Sequence, residues 1–482
     1  MKKIFCSMVM FAVLSTVLSC YEKHPVSGGE KLPKIIIAKD SRSFVSENGQ
    51  PFVPFGVNYF RPGTGWAPQI WKTFDETAFR QDFSLMKDAG VNCVRVFLTY
   101  GSFMTEKGMV NQEALRKFDK LLDIADEYGI YIHPTGPDHW EGPGCLNDLE
   151  NMMERFTDDG ILEATIMFWK VFAARNKGRN AIFAYDLLNE PVIPWSSPSM
   201  KLKWNEWLKS RYQTAENFAE KRNIPLKDIQ WGNEDAPEDF SNKELILDYQ
   251  QFREGLADHW TKIQVEAIKS VDPDALVTVG LIQWSIPTIL PNLQSYAAFN
   301  PYRLTHYLDF LEFHFYPLAT GFYEYEQKGA KEKNLAYIES LAKEVAAIGQ
   351  PVVVAEFGWY GGGKLKNSWQ NMPEASEEQQ AEWNTALIET TKGLAVGWLN
   401  WGFFDMPEAL DISELLGLYT VERQPKAWGI AFKRLSEQLS GQVILPKKMG
   451  ERPKMNWDML ISDPQAGPEF MEEYLKAFLI NK

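Results

Sequence analysis

Eight short apolar runs separated by segments of helical periodicity constrain this chain more than any other feature of its sequence. From Pro51 onward they are Phe52 to Tyr59, Asn92 to Thr99, Tyr131 to Thr135, Ala181 to Asn189, Leu276 to Leu281, Leu311 to Tyr316, Val352 to Phe357 and Gly397 to Phe403. Continuous apolar runs of this length read as strands buried on both faces, the mark of a parallel sheet. Strand and helix alternating eight times closes such a sheet, so the expected fold class is α/β, a (β/α)8 TIM barrel.

The segments between the runs carry helix start and stop signals. Asp75 precedes a face of Phe79, Phe83 and Met86 that stops before Gly90, and Asn111 precedes Leu115, Phe118, Leu122 and Ala125, stopped by Gly129. Ser376-Glu377-Glu378-Gln379 has the spacing of a capping box. Two features exceed a minimal barrel. Ile35 to Pro54 holds the turn signal Ser46-Glu47-Asn48-Gly49, expected to form an N-terminal β-hairpin under the barrel. Residues 192–242 are an insertion after the fourth strand, with Trp195, Trp204, Trp207 and Trp231 expected either to wall a cleft or to pack the insertion down.

The start of the chain reads as an export signal. Lys2 and Lys3 precede an apolar stretch from Ile4 to Val17, and Val17-Leu18-Ser19-Cys20 resembles a bacterial lipobox, in which Cys20 becomes the lipidated first residue. The expected organisation is therefore signal 1–20, flexible tether 21–34, barrel 35–447 and C-terminal extension 448–482, in an exported lipoprotein that meets a membrane only through its anchor. The net charge of −14 becomes −16 without Lys2 and Lys3, which argues against nucleic acid as a partner. Cys93 opens the second strand and Cys145 lies in a loop at the opposite barrel face, too far apart to bridge, so both are expected as free thiols.

Chemistry concentrates at two strand ends. Asn189-Glu190-Pro191 ends the fourth run, and Glu356 sits in Val352-Val353-Val354-Ala355-Glu356-Phe357. Folding alone gives no reason to place a carboxylate at either tip. Two on one barrel face are what acid-catalysed glycoside cleavage requires. A general acid must hold its proton near neutral pH, which a neighbouring anion and partial burial favour. A nucleophile must stay ionised, which hydrogen-bond donors and a fixed positive charge favour.

These strings resemble glycoside hydrolase family 5, the cellulase and mannanase group within a clan of retaining barrel glycosidases, over roughly residues 50 to 440. The matching residues are Arg95 in Asn92-Cys93-Val94-Arg95-Val96, Asn189 with Glu190, His314 and Tyr316 in Glu312-Phe313-His314-Phe315-Tyr316, Glu356, and Trp401 in Leu399-Asn400-Trp401-Gly402. The resemblance implies double displacement on a β-linked carbohydrate, with Glu190 on the fourth strand as acid and base, Glu356 on the seventh as nucleophile kept ionised by Tyr316 and Arg95, and mannan and glucan backbones as the expected substrates. Asn189 would bond the sugar 2-hydroxyl, Trp401 would stack on a pyranose ring, and His314 would orient the acid or touch substrate.

The third strand departs from the family pattern. In Tyr131-Ile132-His133-Pro134-Thr135-Gly136-Pro137-Asp138-His139-Trp140, His133 lies inside the strand as a scaffold residue, and His139 and Trp140 in the following loop are the better sugar contacts. Trp204-Asn205-Glu206-Trp207-Leu208 with Arg211-Tyr212 is also similar to barrel β-galactosidases of the same clan. That keeps an exo-acting enzyme open beside a non-catalytic glycan-binding barrel. No metal or cofactor is expected, because the six histidines fall at no ligand spacing and Asp158-Asp159-Gly160 lacks the rest of a calcium loop. Gly361-Gly362-Gly363-Lys364 lacks the leading glycine of a phosphate loop and is expected to be a mobile loop beside the site.

Overall fold

The computed structural model describes residues 31–63, 68–105, 109–138, 153–317, 325, 327–368 and 372–480. Its centre is a closed barrel of parallel strands: β4 (Phe55–Asn58), β5 (Cys93–Thr99), β6 (Tyr131–Asp138), β7 (Tyr185–Asn189), β8 (Val277–Leu281), β9 (Leu311–Phe315), β10 (Val352–Phe357) and β11 (Gly397–Asn400), with β11 pairing back onto β4. The first predicted strand is divided. Pro51–Phe52 pairs as β3 with β2 (Phe44–Ser46), which pairs with β1 (Ile35–Ile37), so the N-terminal hairpin becomes a three-stranded antiparallel sheet. Pro54 lacks the N–H that would continue a ladder, and the chain passes there from sheet to barrel. Ring contacts of Phe44 with Phe183 and Phe310, and of Phe52 with Tyr131, seat the sheet against the N-terminal ends of the barrel strands.

The predicted caps are formed. Asp75 accepts from the Thr77 and Ala78 amides, Asn111 from Glu113, and Gly129 takes the left-handed conformation that ends helix Gln112–Tyr128. Ser376 and Gln379 exchange both bonds of the capping box. After β8, however, there is no long helix, only the turn Gln283–Ser285 and the short helix Pro301–Leu304. Helices Trp457–Ser462 and Ala466–Ile480 take the vacant place, packing against Lys243–Lys269 and Ala330–Ala346 respectively. Trp457 donates to Glu344 at 2.8 Å and Arg452 to buried Glu339 at 2.7 Å, so the C-terminal segment completes the outer ring of helices.

Three of the insertion's tryptophans, Trp195, Trp204 and Trp207, bind it to the barrel's own helix. Trp204 stacks on Trp207 and meets Tyr249 and Phe252 of helix Lys243–Lys269, while Trp195 lies against Tyr249 and Trp231 against Phe218. The three glycines after β10 are not a loose loop. Gly361 donates to Leu415, Gly362 and Gly363 donate to Ala375, and a side chain at Gly361 would lie 2.4 Å from the Ser376 carbonyl oxygen. The missing side chain of Gly361 permits a close backbone approach, and Gly362 and Gly363 take φ +99° and +146°, where the sequence suggested mobility. Cys93 is a buried free thiol; Cys145 lies outside the described residues.

Candidate active site

Arg95 organises the C-terminal face of the barrel. Fully buried on β5, it donates from Nε and Nη2 to Asp186 Oδ2 at 3.1 and 2.7 Å, from Nη1 to Asn58 Oδ1 at 2.9 Å, from Nη2 to Asn189 Oδ1 at 3.1 Å, and from Nη1 to Glu356 Oε1. A planar guanidinium with five donors is suited to fix side chains from three other strands at once. Burial acts to lower the Arg95 pKa, but Asp186, Glu356 and Glu312 raise it on balance, so the cation is permanent.

Strand irregularities aim these groups. Asp186 and Asn189 are an odd number of residues apart and in a regular strand would face opposite sides of the sheet. The register of β7 against β8 shifts between them, and both reach Arg95. The register of β10 against β9 likewise shifts between Val354 and Glu356. Bulges that redirect a side chain are common beside active sites. Just beyond β7, Glu190 has φ +44° and its amide donates to the Gly280 carbonyl at 2.8 Å, a left-handed turn that few residues other than glycine adopt without strain.

Glu356 is 3% exposed. Tyr316 donates its hydroxyl to Oε2 at 2.9 Å, and His314 Nδ1 lies 3.5 Å from the same oxygen. Burial raises the Glu356 pKa above the ordinary carboxylate value, and His314, Arg95 and Tyr316 oppose it. Burial also pulls His314 down to about 4, so near neutral pH its influence is that of a hydrogen bond and not of a charge. Tyr316 is pushed well above its usual value by burial and by the anions Glu356 and Glu190, which keeps it a neutral donor.

The Glu190 side chain is 29% exposed and lies 3.1 Å, Oε1 to Nδ1, from His314. A neutral imidazole carries one proton, and Nδ1 is the nitrogen with carboxylates in reach, so we assign the proton there. One carboxylate oxygen of Glu190 and one of Glu356 lie within 4.8 Å of each other. Glu190, His314 and Glu356 thus have donor spacing for a cation, as do buried His133, Asp186 and Glu312. In each set the Arg95 guanidinium already pairs with a carboxylate, Glu356 in the first and Asp186 in the second.

Trp401, just beyond β11, stands at the edge of this cluster. It is 7% exposed, its ring centroid lies 6.5 Å from that of Tyr316, and it packs on Phe60 and Phe97 while donating to Ser413 Oγ at 2.9 Å. The structure therefore brings together seven residues singled out in the sequence: Arg95, Asn189, Glu190, His314, Tyr316, Glu356 and Trp401. His139, Trp140 and Cys20 lie outside the described residues. His133 is buried within β6, bonded to the Ala184 carbonyl and to Glu312 Oε2.

Four contributors escaped sequence reasoning: Asn58, Asp186, Gly280 and Gln283. Asp186 carried the same signal as Glu190, a charge in an apolar strand, and it anchors Arg95. Gln283 accepts from the Tyr316 amide at 2.9 Å. Gly280 gave no signal; a β-carbon there would lie 2.9 Å from Arg95 Nη2, 3.1 Å from Asp186 Oδ2 and 3.1 Å from His314 Nε2.

Comparison with known proteins agrees with this architecture. Residues 45–405 match the sequence profile of Cellulase (glycosyl hydrolase family 5). Mannan endo-1,4-β-mannosidase A of Emericella nidulans is 24% identical over 187 residues, covering 34% of this chain and 49% of that protein. The chain thus spans about half the length of the curated relative it matches. Among solved structures, a GH5_18 variant from Streptomyces cattleya in complex with Manβ1-4GlcNAc superposes with a TM-score of 0.61 at 18% identity, over 88% of this chain and 92% of that one. An exo-β-1,4-mannosidase from Opitutaceae bacterium strain TAV5 gives 0.58 at 19% identity, over 84% and 62%. A β-galactosidase from Halorubrum lacusprofundi gives 0.60 at 17%, over 80% and 58%. At these identities the structural likeness speaks for the fold.

Proposed function

The chain belongs to glycoside hydrolase family 5, and from that premise we propose a retaining β-glycosidase in which Glu356 is the nucleophile and Glu190 the general acid and base. The observation that carries the reading is the placement of the two carboxylates, with oxygens within 4.8 Å in unlike surroundings. Retaining enzymes hold their carboxyl groups about 5 to 5.5 Å apart, whereas inverting ones leave about 6.5 to 9.5 Å for a water. Glu356, sealed beside Arg95 and Tyr316, is suited to attack the anomeric carbon as an anion. Glu190 is more open and is suited to give a proton to the leaving oxygen, then to take one from the water that releases the sugar.

Asn189, tied to Arg95, would bond the sugar 2-hydroxyl, and Trp401 would offer a ring face on which a pyranose stacks. His139 and Trp140 are assigned to a neighbouring sugar subsite on sequence grounds. The proposed substrates are β-linked mannans, glucans or their oligosaccharides. The mannoside half draws support from the activities named for the relatives, among them the Emericella nidulans mannanase and the Opitutaceae exo-mannosidase. The β-galactosidase likeness keeps an exo-acting β-galactosidase as the second reading. A screen of β-mannan, β-glucan and aryl β-glycosides including galactosides, with products resolved by chain length, separates them. Proton NMR of the first product should show the β-anomer; initial release of the α-anomer would overturn double displacement.

We further propose export and lipid anchoring at Cys20. Fatty-acid labelling of cells should mark the wild type and not Cys20→Ser, and equal labelling of both would remove the anchor.

A further inference from the structure

Arg95 is not the only fully buried arginine. Arg253, on helix Lys243–Lys269, is 0% exposed, and among the described residues it makes no ion pair. Its guanidinium donates to Gln250 Oε1, to the Tyr296 carbonyl at 2.9 Å and to the Ile193 carbonyl, and it lies 5.2 Å from the Trp195 ring centroid. Burial pulls its pKa down to about 10. A cation sealed from water without a counter-ion is costly, and the return on this one is a junction between two loops.

The first loop leaves β7 through Glu190 and Ile193; the second leaves β8 and runs through Trp284 to Phe299. They are also joined by the Ile193 amide donating to the Ala297 carbonyl at 3.1 Å, and Ala297 in turn donates to Trp284 at 3.2 Å. Each loop contains one residue other than glycine in the left-handed region, Glu190 at φ +44° and Ala298 at φ +65°. Such conformations persist where the surroundings over-determine them. Ile193, Tyr296, Ala297 and Ala298 are all fully buried around the clamp.

We propose that Arg253 is a positioning residue for Glu190: by tying the Ile193 and Tyr296 carbonyls together it holds the left-handed turn that aims the Glu190 carboxylate toward His314 and the departing oxygen. This rests on Glu190 being the acid and base. A misaimed acid has a kinetic signature that a loosened fold lacks, because the loss grows with the leaving group's need for a proton.

The test compares kcat/KM for 2,4-dinitrophenyl and phenyl β-mannosides, or the matching glucosides or galactosides if the wild type prefers them. Both substrates report on the same folded molecules, so their ratio is insensitive to the folded fraction. Arg253→Gln should lose about tenfold or more on the phenyl substrate and change by no more than about twofold on the dinitrophenyl one. Arg253→Lys, which keeps the charge and can reach one carbonyl, should recover part of the loss, and it is read on the same ratio if the glutamine variant does not fold. Equal losses on both substrates, or none on either, would overturn the clamp. Glu190→Ala serves as control: selective loss there with equal losses in Arg253 variants defeats this proposal alone, whereas equal losses in Glu190→Ala defeat the acid assignment and the clamp with it.

Discussion

The Tyr316 hydroxyl lies 2.9 Å from Glu356 Oε2 while Arg95 holds Oε1, so each oxygen of the buried carboxylate has its own donor. One donor is neutral and the other charged. Burial works against ionisation of Glu356, and these bonds work for it. Glu356 is thereby kept out of water while two donors favour its anion, as the proposed nucleophilic role requires.

Removing the neutral donor tests this balance. Tyr316→Phe should cut kcat/KM by roughly 10- to 100-fold, as loss of a hydrogen bond to a charged group costs about 1.5 to 3 kcal/mol. The sign of the pH effect follows from the role proposed for Glu356. The bond favours its ionised form, so losing it raises the pKa, and the acidic limb of the pH–kcat/KM profile should move to higher pH. A profile with an unmoved acidic limb would mean that Tyr316 does not act through Glu356.

Asp186 supports the charged donor. Both partners of the Arg95–Asp186 pair are wholly buried, and removing the Asp186 charge leaves Glu356 as the counter-ion of Arg95. Asp186→Asn should lower unfolding stability by about 3 kcal/mol, at the lower end of the range for broken buried pairs because the amide oxygen still accepts one bond. Urea unfolding measures this; a midpoint equal to wild type would show that Arg95 is held by its remaining partners.

How much of this was visible in the sequence depends on what each residue does. The eight strands, the caps of helices Glu76–Asp88 and Gln112–Tyr128 and the capping box at Ser376 were legible, because local periodicity and turn chemistry determine them. Glu190 and Glu356 were legible because a charge at a strand tip conflicts with burial. Asp186 sends the same signal but was passed over within its apolar run. Non-local packing was not legible: the C-terminal helices filling the place beside β8, and the glycines after β10 serving close approach to Ala375 and Ser376, depend on partners far away in sequence. Arg253 was equally hidden, since helix periodicity cannot show that a buried arginine meets two loop carbonyls.

Gly280 is the sharpest of the hidden positions. Its backbone is ordinary strand, so nothing local demands glycine, yet a β-carbon would press on Arg95, Asp186 and His314 together. Gly280→Ala should lower kcat by about 10- to 100-fold through displacement of these groups by a few tenths of an ångström or more. KM should change less, since the clash falls beneath the reacting centre. Wild-type kcat in this variant would show that the three side chains can yield without cost.

The two carboxylates can be told apart by rescue, because deletion of either should abolish ordinary turnover by a different route. In Glu356→Ala the space beside Arg95 and Tyr316 is vacated on the face opposite the leaving group. Added azide can attack from there in a single displacement, and the expected product is the glycosyl azide of inverted configuration. In Glu190→Ala the nucleophile survives, and a substrate whose leaving group needs no proton still forms the glycosyl-enzyme. Azide then enters from the side where Glu190 stood and displaces Glu356, giving the azide of retained configuration after two inversions. The stereochemistry, read by NMR coupling at the anomeric carbon, is independent of how much activity returns. Exchanged outcomes would reverse the assignment of acid and nucleophile, and wild-type turnover in both variants would move the reaction away from this face of the barrel.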